Sequence, residues 1–132
     1  MLATNSPMRF ISSKFHAVVD YGSGIFLLCL PKLIGAADGS AVSWLAFAAG
    51  IMILLQATLT NYEGGIVPFI PLYVHLIVDI MLGLALVTVS WLTGISGRPL
   101  SVFLIMGILA FLFGLFTRLR PPARRKVYNH FK

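Results

Sequence analysis

Apolar residues gather in four runs, 15–34, 41–60, 72–93 and 99–117, separated by short polar, glycine- and proline-bearing segments. Each run is close to the roughly 20 residues that an α-helix needs to cross a hydrocarbon core about 30 Å thick. Breaks fall where turn chemistry is concentrated: Gly35 with Asp38-Gly39-Ser40, the 61–71 segment with Gly64-Gly65, Pro68 and Pro71, and Gly94 with Ser96-Gly97-Arg98-Pro99. The pattern predicts an all-α membrane protein of four transmembrane helices. Arg9 and Lys14 ahead of the first run, with small residues at Gly35-Ala36-Ala37 behind it, could also be taken for a secretory signal. An internal repeat argues instead that this run belongs to the mature structure.

His16-Ala-Val-Val-Asp20-Tyr-Gly-Ser-Gly24 recurs as His75-Leu-Ile-Val-Asp79-Ile-Met-Leu-Gly83. At this spacing His16, Val19, Asp20, Gly24, Leu27, Leu33 and Gly35 are all identical to their counterparts. Leucine and valine matches are common between apolar segments, whereas His, Asp and Gly in fixed spacing are not. The second helix of each half repeats as well, Gly50, Ile51, Leu55 and Thr60 reappearing as Gly107, Ile108, Leu112 and Thr117. The expected architecture is one membrane domain over 1–132, with unit 1 at about 15–60, unit 2 at about 72–117 and a basic tail at 118–132. A unit with two spans begins and ends on one side, so the units form two parallel repeats of a helical hairpin about a pseudo-two-fold axis along the membrane normal.

Composition agrees: 58% of the 132 residues are hydrophobic and 11% charged, with a mean hydropathy of +0.93, far from ordinary soluble domains. The net charge of +6 is concentrated at the ends, in Arg9 and Lys14 and in Arg118, Arg120, Arg124, Arg125, Lys126 and Lys132. By the positive-inside rule both termini of this multi-pass protein are expected in the cytoplasm. The basic tail suits a topology anchor against anionic lipid rather than nucleic-acid binding. Cys29 lies within the first apolar run, where burial is expected to keep it inert, and no disulfide framework exists.

His and Asp four residues apart share a helix face, so His16/Asp20 and His75/Asp79 can each form a hydrogen-bonded intramembrane pair, with Gly24 and Gly83 one turn deeper. Ionisable groups at that depth are costly and should face the bundle interior. Three roles suit them. As structural glue, each Asp accepts from its own His and the pair bonds to another helix. As a relay, the pairs carry protons or ions. As haem ligands, His16 and His75 hold the iron with Asp20 and Asp79 behind them. Structural glue is the expectation adopted, with no cofactor and no metal, because a zinc site would require both units to bring four ligands together on adjoining faces.

Small residues mark the second and fourth helices: Gly50, Ala57 and Thr60 on one, Gly107, Ala110, Gly114 and Thr117 on the other, spaced as helix-packing seams. Gln56 has Phe113 as its counterpart and is expected to bond a nearby carbonyl. Trp44 and Trp91 suit the outer interface, and Tyr62, Tyr73, Tyr128 and Phe131 the inner one.

Ser90-Trp91-Leu-Thr-Gly94, with its counterpart Pro31-Lys-Leu-Ile-Gly35, resembles the end of the first helix in SPW-repeat proteins, small bacterial membrane proteins of paired helices. The aspartate near the start of each odd helix and the glycines in the helix that follows are similar to that family's pattern. The resemblance spans about 15–120 and implies a bacterial inner-membrane location without an established activity. No nucleophile–base pair or phosphate loop can be assembled from these residues. The expected function is therefore non-enzymatic: an accessory or structural subunit of a larger membrane complex, or a homo-oligomer, with lipid and membrane proteins as its partners. Proton, ion or small-solute transport through the His–Asp pairs is the alternative, and a bis-His haem protein a second one.

Overall fold

The computed structural model describes residues 7–119, which form four α-helices: α1 Ser13–Leu33, α2 Ala41–Leu59, α3 Leu72–Leu92 and α4 Gly97–Phe116. No strand occurs among the described residues, only two isolated β-bridges. The tail beyond Leu119, including Arg120, Arg124, Arg125, Lys126, Tyr128, Phe131 and Lys132, lies outside them.

Local chemistry sets the helix ends. Ser12 and Ser40 accept from the backbone N–H of Phe15 and Ser43, both at 3.2 Å, each satisfying an orphan donor of a first turn. α1 and α3 stop in the same way. Gly35 and Gly94 adopt φ of 66° and 69°, and the residues after them, Ala36 and Ile95, donate back to Pro31 O and Ser90 O at 2.8 and 3.2 Å. This is the left-handed glycine stop that uses up the last free carbonyls of a helix.

α2, α3 and α4 are long and apolar enough to cross a membrane. α1 does not meet that measure, and its 21 residues include Lys14, Asp20 and Lys32. The lysines sit at its two ends, and Asp20 is turned into the bundle.

α1 packs along α2, and α3 along α4, with contact between α2 and α3 much narrower. Both close pairings are made at facing glycines. A Cβ on Gly50 would stand 2.9 Å from Gly24 O, and one on Gly107 2.7 Å from Gly83 O. In lipid, where apolar side chains gain nothing by leaving the solvent, backbone approach of this kind supplies dispersion contact. A Cβ on Gly114 would likewise stand 2.6 Å from Leu76 O, and Ala57 is fully buried. Ala110 is only half-buried and lines a small cavity instead of a tight seam.

The interior divides into two levels. One is an apolar core of Leu27, Leu30, Ala46, Ala49, Ile53, Leu86, Ile95 and Phe103. The other, toward the 61–71 connection, is polar and holds the residues of the next section. Between α2 and α3, an apolar cleft of about 120 Å³ is lined by Leu45, Ala48, Met52, Leu82, Ala85 and Val89. Outward-facing positions are large and apolar, with Trp44 and Trp91 among the most exposed. Cys29 is also exposed on the outer face of α1, correcting the expectation of burial: an apolar run buries only one stripe of its helix in a four-helix bundle, and Cys29 is off that stripe.

Gly83→Ala and Gly107→Ala are expected to lower stability by about 1–3 kcal/mol, since the added methyl meets backbone that cannot move aside. Gly22→Ala, whose Cβ would meet nothing within 4 Å, should be neutral or slightly stabilising. Thermal unfolding of the three variants in detergent checks the contrast.

Candidate functional site

α1 and α3 present their first two turns to one another. His16 and Asp20, and likewise His75 and Asp79, lie one helical turn apart, and all four are buried. They do not form two separate pairs. His16 Nε2 is 3.1 Å from Asp20 Oδ1 and 2.9 Å from Asp79 Oδ2, while His75 Nε2 is 3.2 Å from Asp20 Oδ2 and 3.2 Å from Asp79 Oδ2. The two Nε2 atoms are 3.4 Å apart, with the rings edge to face. Expected as two pairs, the residues thus make one quartet in which each carboxylate serves both histidines. Helical spacing predicts only contacts along a helix, and the cross-contacts arise from the facing of α1 and α3.

The outer nitrogens are held as well. His16 Nδ1 lies 2.6 Å from Thr117 Oγ1, and His75 Nδ1 lies 2.7 Å from Thr60 Oγ1. Thr60 spends its hydroxyl proton on Gln56 O at 2.7 Å, so toward His75 it can only accept, and Nδ1 must be the donor. Each threonine is fixed by a bridge to the segment that leads into an odd helix. Ile11 pairs with Thr117, with Ile11 N to Phe116 O at 3.0 Å and Arg118 N to Ile11 O at 2.9 Å. Ile70 pairs with Thr60, with Ile70 N to Leu59 O at 2.7 Å and Asn61 N to Ile70 O at 2.8 Å.

The carboxylates have their own donors. Gln56 Nε2 donates to Asp79 Oδ1 at 2.5 Å and lies 3.5 Å from His75 O. Tyr62 donates its hydroxyl to Asp20 Oδ2 at 2.9 Å. Burial and the neighbouring Asp20 charge hold the Tyr62 phenol well above its ordinary range, so it remains a donor. The turn carrying Tyr62 is tied to α1 by Tyr21 O–H to Gly64 O at 2.8 Å and by Ser13 O–H to Glu63 Oε2 at 2.7 Å. Among the described residues, neither Asp20 nor Asp79 pairs with a lysine or arginine.

A cavity of about 20 Å³ adjoins the quartet, lined by His16, Asp20, Asp79 and Phe113 among others, room for about one water molecule. Beyond it stands the apolar core. The hydroxyls nearest the far end, Ser43 and Ser90, are already spent on Ala37 O and Leu86 O. Ser23 lines the cavity as well, and most of the interior past it is apolar. A haem does not fit between the histidines, because both carboxylates occupy the space beside their Nε2 atoms.

Of the residues singled out in the sequence, the quartet converges, Gly24, Gly50, Gly83, Gly107 and Gly114 make close helix contacts, and Ala57 is core. Gln56, Thr60, Thr117 and Tyr62 are the members that sequence reasoning placed elsewhere. The recurrence of Thr60 as Thr117 was the available signal, read as part of a packing seam. Gln56 meets a nearby carbonyl, His75 O, as expected, and also the Asp79 carboxylate, while Tyr62 turns inward. Comparison with protein-family models, curated proteins and solved structures found no match.

Gln56→Leu leaves Asp79 Oδ1 buried without its donor and is expected to destabilise the bundle by about 1–3 kcal/mol. Gln56→Glu should restore little, since it sets a second carboxylate against Asp79. Detergent unfolding of both variants tests this, and equal stability of wild type and Gln56→Leu would refute it.

Proposed function

We propose that this chain is a non-enzymatic four-span membrane protein, built of two hairpin repeats that enter the bilayer from one side with both termini in the cytoplasm of a bacterial cell, and serving as a structural subunit of a larger membrane assembly or of a homo-oligomer. One observation carries it: the buried ionisable groups are consumed in joining α1 to α3, and most of the interior beyond them is apolar. Three helices long and apolar enough to span support a membrane location, and parity with the terminal charge supports α1 as the fourth span. α1 reaches across when its terminal lysines extend to the interfaces and Asp20 stays inside. The equivalence of Gly35 with Gly94, of Gly24–Gly50 with Gly83–Gly107 and of His16–Thr117 with His75–Thr60 supports the repeat. Kinship with SPW-repeat proteins is part of the same proposal, resting on Ser90-Trp91 and Pro31 at the helix ends.

Proton or ion transport is the competing function, favoured by the cavity beside the quartet. The apolar core beyond it opposes conduction through a single chain.

In a Cys29→Ser background, single cysteines placed at Asp38 and Ser96 should be labelled by a membrane-impermeant thiol reagent from the periplasm, and one placed at Glu63 should not. The opposite labelling, or a split between Asp38 and Ser96, overturns the shared orientation. Liposomes containing the wild type should show no pH-driven proton flux above protein-free vesicles. A flux abolished by His16→Ala or His75→Ala would replace the structural role with transport.

A further inference from the structure

Two imidazoles and two carboxylates converge on one point inside the bundle. One ligand atom from each of His16, Asp20, His75 and Asp79 can be chosen so that all lie within 4.8 Å of one another. A tetrahedral cation bound at about 2.0–2.2 Å implies ligand–ligand edges of about 3.3–3.6 Å. The four His–Asp separations are 2.9, 3.1, 3.2 and 3.2 Å, and the His–His separation is 3.4 Å. Because Asp20 faces His16 with Oδ1 and His75 with Oδ2, taking Asp79 Oδ2 with either single oxygen of Asp20 sets four of the six edges, at 2.9–3.4 Å, near or somewhat inside those of such a polyhedron.

The outer contacts orient these atoms as ligands. His75 must donate from Nδ1, because the Thr60 proton is committed to Gln56 O, so in the neutral ring the Nε2 lone pair faces the two carboxylates. Lone pairs and negative oxygens crowded at one point repel unless a positive centre stands among them. Protons on the Nε2 atoms are one remedy, but they leave Asp79 Oδ2 unsatisfied. That oxygen is fully buried, on a residue 4% exposed, and has no aligned donor although both Nε2 atoms are within 3.2 Å. Contacts that are short yet badly aligned for N–H donation are what ring nitrogens make when they aim between the oxygens, at a common centre.

We propose that His16, Asp20, His75 and Asp79 bind one divalent d-block cation, Zn²⁺ foremost, in a four-coordinate site that links α1 to α3. The charge balances: two carboxylates and two neutral imidazoles with one divalent ion are neutral overall, which a site inside an apolar bundle requires. Mixed imidazole and carboxylate donors in small number fit zinc and its neighbours rather than calcium or magnesium, which take six or more oxygens. Thr60 and Thr117 on the imidazoles, with Gln56 and Tyr62 on the carboxylates, form the outer layer that fixes ligand orientation. Four protein ligands make a closed, structural site. The proposal rests on the structural role given above and names the ligand that role employs.

The test uses the full chain in detergent, stripped with a chelator, checked for helicity by circular dichroism and titrated with Zn²⁺ and Co²⁺. Saturation at one ion per chain is expected, with the intense visible bands of four-coordinate Co²⁺ and their loss on adding Zn²⁺. Asp79→Asn and His16→Ala should abolish the bands, and Thr60→Val should weaken binding by about 10–100-fold while retaining the spectrum. Zn²⁺ should raise the unfolding temperature of the wild type but not of Asp79→Asn. A stripped wild type that stays helical and binds neither ion overturns the site, as does binding undiminished in Asp79→Asn or Thr60→Val. Because thiol labelling and proton flux report orientation and transport separately, loss of the metal site leaves the subunit proposal to its own tests.

Discussion

Two carboxylates buried among apolar helices need counter-charge and hydrogen-bond donors, because an uncompensated charge in such surroundings costs several kcal/mol. Lysine and arginine do not supply the compensation here. It comes from two histidines, a glutamine and a tyrosine, and each of these residues is carried by a different part of the chain from at least one carboxylate that it contacts. The requirement therefore acts as a tether. α1 cannot separate from α3 without stranding Asp20 and Asp79, and α2 and the 61–64 turn are drawn in with them.

The supports of this quartet follow an exchange pattern. His16 on α1 bonds to Thr117 at the end of α4, and His75 on α3 bonds to Thr60 at the end of α2. The two isolated bridges do likewise, Ile11 with Thr117 and Ile70 with Thr60. Each helix that carries a histidine is thus supported from the end of a helix outside its own close pair. The two carboxylates differ in their outer donors, Gln56 for Asp79 and Tyr62 for Asp20, while Phe113 meets His16 with a ring edge.

Adhesion within the α1–α2 and α3–α4 pairs is of another kind. It is dispersion between backbones brought together at Gly24–Gly50 and Gly83–Gly107, reinforced by an apolar core at the far level. Such contact is non-directional and would tolerate sliding. Directionality is provided by the quartet, whose short His–Asp contacts admit one register of α1 against α3. The narrow contact between α2 and α3, and the apolar cleft between them, leave the two helix pairs joined at one level and loosely apposed at the other.

Much of this was present in the sequence by itself. Period and length of the apolar runs placed four helices within a few residues of their ends, because helix propagation and glycine or serine termination are local. The repeat of His, Asp and Gly marked the residues that matter, since such residues in apolar runs are too costly to be incidental. What no pattern along the chain determined is that the two pairs merge, that Gln56 and Tyr62 reach the carboxylates, and that Cys29 faces outward. Those depend on the angle and register with which α1 meets α3, fixed where the quartet forms and by the β-bridges that tie the segments before α1 and α3 to Thr117 and Thr60. A single helix knows its own faces, but only packing against the others decides which polar atoms on them share a space.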